Sequence, residues 1–526
     1  MAPHQTTEST LSSGEKISPA ELNGNAEATP VSKLRQALPQ FFAVSAKNIL
    51  LITFGSSLGF STILIPELQK ENPEIEVTLE QLTWISSFNL ILVPVGCLIS
   101  GPISQCFGRK RTMMISNLPF VIAWIIFHRA QSASMLFVAL SLTGLSGGLL
   151  EAPVLTYVAE VTQPHLRGML SATSTMSVIL GVFSQLLAGS LTTWRTVALI
   201  NIAFPVACFV ALCMVPESPH WLAAKNRLKE SEEALCWLRG WVTPHHVRNE
   251  FCQLCEVARK PAEKNTETTS RSEKVWKPYT KKTFYKPFAL VSLAFFIGAF
   301  GGITSLQTFA VVIFARLNAP IDKYTATVFL GIAELVGTAF CVVAIHFTGK
   351  RKLSFLSSGG TGISFGCAAI YSYMVDHRSI LGDDYTWIPT TFLITAAFMS
   401  HLCIRLLPWV LIGEVFPGEV RSGASGAAGS IGYIFNFIVN KAFFYMLNGI
   451  ALAGTFWFYS MVNIIGAIVL FFVLPETEGR TLREIEEHYA GIHNLKDRPK
   501  KEEFPFKEKW AARNVAIVND DVESRL

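Results

Sequence analysis

The sequence predicts an all-α membrane protein with twelve transmembrane helices in two pseudo-symmetric six-helix halves. Three observations predict it. First, the 526 residues are 50% hydrophobic and only 16% charged, with a mean hydropathy of +0.38, against about 25% charged in ordinary soluble domains. The apolar residues gather in windows of the roughly 20 residues a helix needs to cross a bilayer. Second, a charged pattern recurs. Glu160 and Arg167 stand seven residues apart where one apolar run ends, Glu414 and Arg421 stand seven apart where another ends, and 254 residues separate each from its counterpart. A repeat over that distance signals a duplicated architecture. Third, a polar stretch, 216–286, separates six apolar windows from six more.

Taken in order, residues 1–45 are rich in Ser, Thr, Glu and Ala and lack the basic-then-apolar pattern of a signal peptide, so they read as a disordered tail. Lys33, Arg35 and Lys47 precede the first span. The N-terminal half, 46–215, holds spans near 46–66, 83–105, 112–130, 134–158, 169–190 and 194–215. An acidic loop from Glu67 to Glu80 follows the first span, and Gly108-Arg109-Lys110-Arg111 ends the second. Within the loop 216–286, the stretches 222–238 and 247–259 have helical spacing and predict short amphipathic helices. The C-terminal half, 287–474, holds spans near 287–312, 323–347, 352–374, 387–411, 423–447 and 451–474, and a charged tail, 475–526, follows.

Basic clusters fall at alternate turns: Arg109–Arg111, Arg167, the central loop, Lys350-Arg351-Lys352, Arg421 and Lys500-Lys501. The positive-inside rule therefore puts both termini and the central loop in the cytoplasm. The formal net charge of +5 is modest and gives no nucleic-acid signal. Cys252 and Cys255 form a CxxC without a second ligand pair nearby, so no metal site and no cofactor are expected.

Several motifs carry a family likeness. Pro216-Glu217-Ser218-Pro219-His220-Trp221-Leu222 follows the sixth span, and Pro475-Glu476-Thr477-Glu478-Gly479-Arg480-Thr481-Leu482 follows the twelfth. Tyr157, Glu160, Arg167 and Gly168 end the fourth span, and Pro408-Trp409 with Glu414 and Arg421 end the tenth. From about residue 45 to 490 the chain resembles the sugar-porter branch of the major facilitator superfamily, and within it insect facilitated trehalose transporter-like proteins. That resemblance implies the major facilitator fold, a small-molecule solute that is a sugar (hexose or trehalose), facilitated transport by alternating access in the plasma membrane, and a monomer in the lipid bilayer rather than an enzyme.

The charged residues at the helix ends are expected to meet as gating ion pairs. Arg109, Lys110, Glu160, Arg167 and Glu217 form one set, and Lys350, Arg351, Glu414, Arg421 and Glu476 the other. Such pairs lock the inner ends in one state and break in the other. The loop after the second span departs from the family pattern, with Gln105 and Cys106 where Asp and Arg are usual; the second copy has His346 and Phe347.

The resemblance makes Trp409 and Asn436 solute-binding residues, with Thr175, Thr304 and Gln307 as further polar groups. Other amide positions of the family are lost: the seventh-span motif reads Gly298-Ala299-Phe300-Gly301-Gly302-Ile303-Thr304. Ionisable residues inside the spans stand against that loss: Glu151, Glu334, His401 and Arg405. Charges at membrane depth are costly and usually functional. The 254-residue offset carries Glu151 onto Arg405. Each lies nine residues from its helix end, about 13.5 Å, near the midplane of a core about 30 Å thick. The two are expected to face each other across the pseudo-two-fold axis, either as a structural pair or as part of a site for a polar or charged solute or a proton. His401, Arg405 and Trp409, spaced by four, share one face of a continuous helix. The first span, 48–66, holds no acid, which favours uniport. Two other functions remain open: a same-fold carrier of a non-sugar, anionic solute, and a transporter-like sensor that moves nothing.

Overall fold

The structure is a computed structural model that describes residues 32–263, 282–378, 385–416, 421–478 and, beyond them, 480, 482–492 and 495. Expectations on residues 1–31, on Lys500-Lys501 and on most of the last tail lie outside the described residues.

The first span is one helix, Lys33–Leu68, and the second is Leu79–Ile85 with Phe88–Phe107. Arg109–Arg129 is the third, and Ala133–Leu149 with Glu151–Val161 the fourth. Pro164–Leu191 is the fifth, and Trp194–Asn201 with Ala203–Cys213 the sixth. Three short helices follow, Pro219–Ala224, Leu228–Leu238 and Pro244–Glu263, where two were expected. The seventh span comes in pieces: Lys282–Phe300, Ile303–Thr308 and Ala310–Arg316. Lys323–Thr348 is the eighth and Lys350–Arg378 the ninth. The tenth is broken into Trp387–His401 and Leu407–Val415. The eleventh and twelfth run together as Arg421–Val473, divided at Ala451, where φ is 58°. Among the described residues, ten helices are long and apolar enough to cross a membrane. The broken tenth span and the division at Ala451 complete the twelve.

Local chemistry explains the boundaries. Thr78 and Gln81 form a reciprocal capping box at the second span, and Asp322 accepts from the N–H groups of Tyr324 and Thr325 at the eighth. The seventh span breaks at Gly301-Gly302, where Gly302 has φ 87°. In the tenth, Pro408 brings no N–H to the helix ladder, so the chain restarts there instead of continuing from His401. Two expectations change. The first helix begins at Lys33, well inside the expected tail, because residues 33–45 pack on the loop helices: Arg35 Nε donates to the Gly240 carbonyl at 3.0 Å and Phe42 meets Trp237 at 6.3 Å. Lys47 is not a flanking cation but fully buried, donating to Ser174 of the fifth span.

Within the halves, the first span packs on the fifth, the second on the fourth and the eighth on the tenth; between them, the second packs on the eleventh and the eighth on the fifth. Advancing each span by six positions exchanges the last two pairings, which is the two-fold relation the sequence repeat predicts. Small residues allow the closest approach. A Cβ on Gly148 would stand 2.6 Å from Gly96 Cα, so the backbones of the second and fourth spans touch.

The end of the bundle that carries the short helices is here the loop end, and the opposite one the far end. At the far end a single apolar core spans both halves, with Phe60, Trp124 and Phe127 joined to Phe309, Phe314 and Phe443. Toward the loop end lie two further cores, one around Tyr157 and Cys208 that also takes in Tyr433 of the other half, and one around Leu407 and Phe416. Hydrogen bonds join the halves at the far end. Thr62 donates to the Gln307 carbonyl at 2.9 Å, Asn440 to the Ser86 carbonyl at 3.4 Å, and Lys441 to Thr83 at 2.7 Å. The molecule is thus sealed at the far end.

The Gly96–Gly148 contact makes a direct prediction. Gly148→Val is expected to destabilise the protein by about 1–3 kcal/mol through overpacking. Thermal unfolding of the purified protein in detergent checks it, and an unchanged melt would mean that the two backbones do not meet.

Candidate functional site

The charged sequence motifs assemble into two matching clusters at the loop end. In the first half, Glu217 Oε1 accepts from the backbone N–H groups of Arg109 and Lys110, both at 2.9 Å. A carboxylate at a helix N-terminus satisfies free donors and meets the positive end of the helix dipole. Arg109 forks onto Glu160 with bonds of 3.1 and 3.0 Å, and Ser218 donates to the same carboxylate. In the second half, Glu476 accepts from Lys350 N at 3.0 Å and Arg351 N at 3.2 Å. Lys350 reaches Glu414 at 2.6 Å and Glu478 at 3.0 Å, and Thr477 donates to Glu414 at 2.9 Å. The residue before each helix is a glycine with positive φ, Gly108 at 102° and Gly349 at 80°. A Cβ there would lie 2.9 Å from Glu217 Cδ and 2.8 Å from Glu476 Cδ, so only glycine admits the carboxylate.

Three predicted members differ. Arg167 is exposed and makes a marginal 3.5 Å bond to the Thr162 carbonyl; Glu160 takes Arg109 from the third span instead. The side chain of Arg421 lies outside the described residues. Lys110 contributes its backbone N–H, while its ammonium reaches the Cys213 carbonyl at 3.4 Å. Each cluster is internal to its own half. Beside the first cluster, desolvation pushes the His220 imidazole below its ordinary value, against the opposing pull of Glu160 and Glu250.

Midway along the bundle, the breaks in the seventh and tenth spans bring polar groups together. Irregular backbone is tolerated at this depth where it lines a cavity. Thr304, just after Gly302, donates to Asn436 Oδ1 at 2.7 Å. Arg405, in the turn that splits the tenth span, donates through Nη1 to Thr304 Oγ1 at 2.9 Å and to Asn436 Oδ1 at 3.3 Å. Gln307 donates to Glu334 Oε2 at 2.7 Å. Trp409 stands edge-on to Phe295 at 5.0 Å and tilted to Tyr433 at 5.7 Å, and Tyr433 reaches Phe54 of the first span at 6.3 Å.

Glu151 begins the second piece of the fourth span. It forms no ion pair with Arg405. The acid within electrostatic reach of Arg405 is Glu334, while Tyr433 lies within reach of both Glu151 and Arg405. The equal offset puts both residues at matching positions in the repeat, but the break in the tenth span aims Arg405 at the seventh and eleventh. Arg405 and Glu151 are both half-buried, and the remaining guanidinium nitrogens and the Glu151 oxygens meet no protein partner among the described residues. The same break ends the shared-face argument for His401. That residue is buried against the eighth span, its Cβ 3.2 Å from a Cβ placed on Gly337. Its Nδ1 donates to the Ala397 carbonyl at 3.0 Å, which leaves Nε2 as an acceptor. Thr175 is half-buried on the fifth span and takes no part in these contacts. Sequence reasoning missed Tyr433, Phe295, Ser218 and Thr477; only the last two carried a signal, following the two repeated glutamates in matching motifs.

The profile of the family described as Sugar (and other) transporter matches residues 49–489. The facilitated trehalose transporter Tret1 of Bombyx mori is 27% identical over 467 residues, covering 88% of this chain and 90% of that protein. Tret1 of Apis mellifera ligustica is 25% identical over 507 residues, covering 94% and 99%. Among solved structures, the proton:xylose symporter XylE of the major facilitator superfamily, bound to 6-bromo-6-deoxy-D-glucose, superposes with a TM-score of 0.67 at 18% identity, over 86% of this chain and 100% of that one. The human organic anion transporter MFSD10 superposes with a TM-score of 0.55 at 12% identity, over 82% and 99%. At such identities these structures share the fold alone, which is the major facilitator fold the sequence predicts.

Burial ranks the charged residues. Arg109→Ala strands Glu160 in a mostly buried pair and is expected to cost about 3 kcal/mol. Arg167→Ala, at an exposed site, is expected to cost less than about 0.5 kcal/mol. Thermal melts of the two variants beside the wild type check this order, and equal losses would contradict it.

Proposed function

Since the chain belongs to the sugar (and other) transporter family, we propose that it carries a sugar, hexose or trehalose, across the plasma membrane by facilitated alternating access. It acts as a monomeric multi-pass carrier rather than as an enzyme. The observation that carries the reading is the Thr304–Asn436–Arg405 cluster beside Trp409. A sugar offers many hydroxyls and an apolar ring face. Buried donors and acceptors are desolvated at little net cost only when such groups meet them, and an aromatic ring suits the ring face. The free edge of Arg405 and the free carboxylate of Glu151 are donor and acceptor for the same hydroxyls.

The basic residues favour a cytoplasmic loop end, which makes the sealed far end the outer one. The two loop-end clusters then act as braces that let each half move as one body, and the far-end bonds form the outer gate. The first span carries no carboxylate before Glu67 in its last turn at the far end, in keeping with a facilitator. The free edge of Arg405 also favours a second reading, an anionic solute, because a guanidinium fork fits a carboxylate.

Uptake by transporter-deficient cells separates the two. Glucose or trehalose is expected to enter with wild type, and Asn436→Ala or Trp409→Ala to slow entry about tenfold, the worth of one well-used hydrogen bond or ring contact. Uptake of a small organic anion but of neither sugar, lost in Arg405→Met, would replace the sugar reading with the second.

A further inference from the structure

We propose that Glu334 is a proton-binding site that controls the outer gate, so that a proton on its carboxyl releases the far-end seal. This rests on the reading of the chain as an alternating-access sugar carrier, and it assigns that carrier a regulator. Glu334 is 1% exposed. Its Oε2 accepts from Gln307, and its Oε1 has no partner. An ionisable group with an idle oxygen at membrane depth has room for a proton there.

The link to the gate is Gln307. Its side chain holds Glu334, and its backbone carbonyl accepts from Thr62 of the opposite half. It belongs to the short helix Ile303–Thr308, which hangs from the left-handed Gly302 and is tied at its end through Thr308 to Asn440, itself bonded to Ser86. One six-residue piece thus joins the Glu334 carboxylate to the bonds that close the outer end.

The surroundings of Glu334 are simple. The eighth span packs on the fifth, the ninth, the tenth and the Ala310–Arg316 piece of the seventh. The fifth brings Leu186 and Phe183 close to Gly331, one turn before Glu334. From the tenth come Arg405, the charged group within electrostatic reach of Glu334, and buried His401 beside Arg405. With Glu334 ionised, the Gln307 bond is charge-assisted and Arg405 is offset. A proton on Oε1 turns that bond into a weaker neutral one and leaves Arg405 uncompensated, free to seek the hydroxyls of an entering sugar. Both changes favour the state open to the outside.

Glu334→Gln mimics the protonated acid in shape and charge. In the purified full chain at neutral pH, the variant is expected to raise hydrogen exchange of 303–316 by about threefold or more, the scale of losing charge assistance, while 151–161 stays unchanged. Equal loosening of both segments, or of neither, overturns the proposal. In cells, wild-type trehalose and glucose entry is expected to rise when the external medium is made acid. Glu334→Gln is expected to be fast and indifferent to pH. A response that survives Glu334→Gln overturns the assignment. Should Glu334→Gln not fold, Gln307→Leu removes the link and leaves the acid in place. It is expected to loosen 303–316 at neutral pH, and unchanged exchange there counts against the proposal. If neither sugar enters wild-type cells, the sugar reading fails, and the exchange experiment decides the gate by itself.

Discussion

Each half is held together at the loop end by one carboxylate that accepts from the first backbone N–H groups of a membrane helix. Glu217 does this for the third span and Glu476 for the ninth. The bond demands a glycine at the entry, since any Cβ there would occupy the carboxylate's place. Around that anchor the side-chain pairs close: Arg109 with Glu160, and Lys350 with Glu414 and Glu478. The sixth and twelfth spans are thereby tied to the third and fourth and to the ninth and tenth. A carrier that rocks two bodies about a central site needs each body to keep its shape, and these anchors supply the stiffness away from the site.

The site itself follows from the opposite device, the interruption of helices. Gly301-Gly302 and the turn before Pro408 free backbone and side chains at a depth where an unbroken helix would offer a smooth apolar surface. Thr304 and Arg405 converge because each stands beside a break. The aromatic residues then set the floor: Trp409 leans on Phe295 and Tyr433, and Tyr433 touches Phe54 across the divide.

The duplicated plan was legible because the Glu160 and Glu414 motifs kept their spacing through 254 residues. Spans and loop helices followed from apolar windows and helical periodicity. What such patterns leave out is direction around the helix axis. The offset equates Glu151 with Arg405 in position along the repeat, yet the azimuth of Arg405 depends on a break that periodicity reads as continuous helix. The pattern gathers Arg109, Arg167 and Glu160 into one set without saying which pair closes, and packing brings Arg109 of the third span onto Glu160 while Arg167 stays exposed. The breaks were written in Gly301-Gly302 and Pro408, but inside an apolar window those residues compete with a strong helical signal.

Lys47 has a consequence for how the molecule is made. Its ammonium is sealed between the first and fifth spans on the hydroxyl of Ser174, which lies 127 residues later in the chain. At the usual pace of the ribosome, on the order of ten residues per second, that hydroxyl emerges on the order of ten seconds after the lysine. Through that interval the first span enters the bilayer with a cation that has no protein partner. Water and lipid phosphate at the surface are then its only company, and they hold the nascent helix near the interface by snorkelling. The Lys47–Ser174 contact can close only once the fifth span has been made, so the burial of the first span is completed by a later helix.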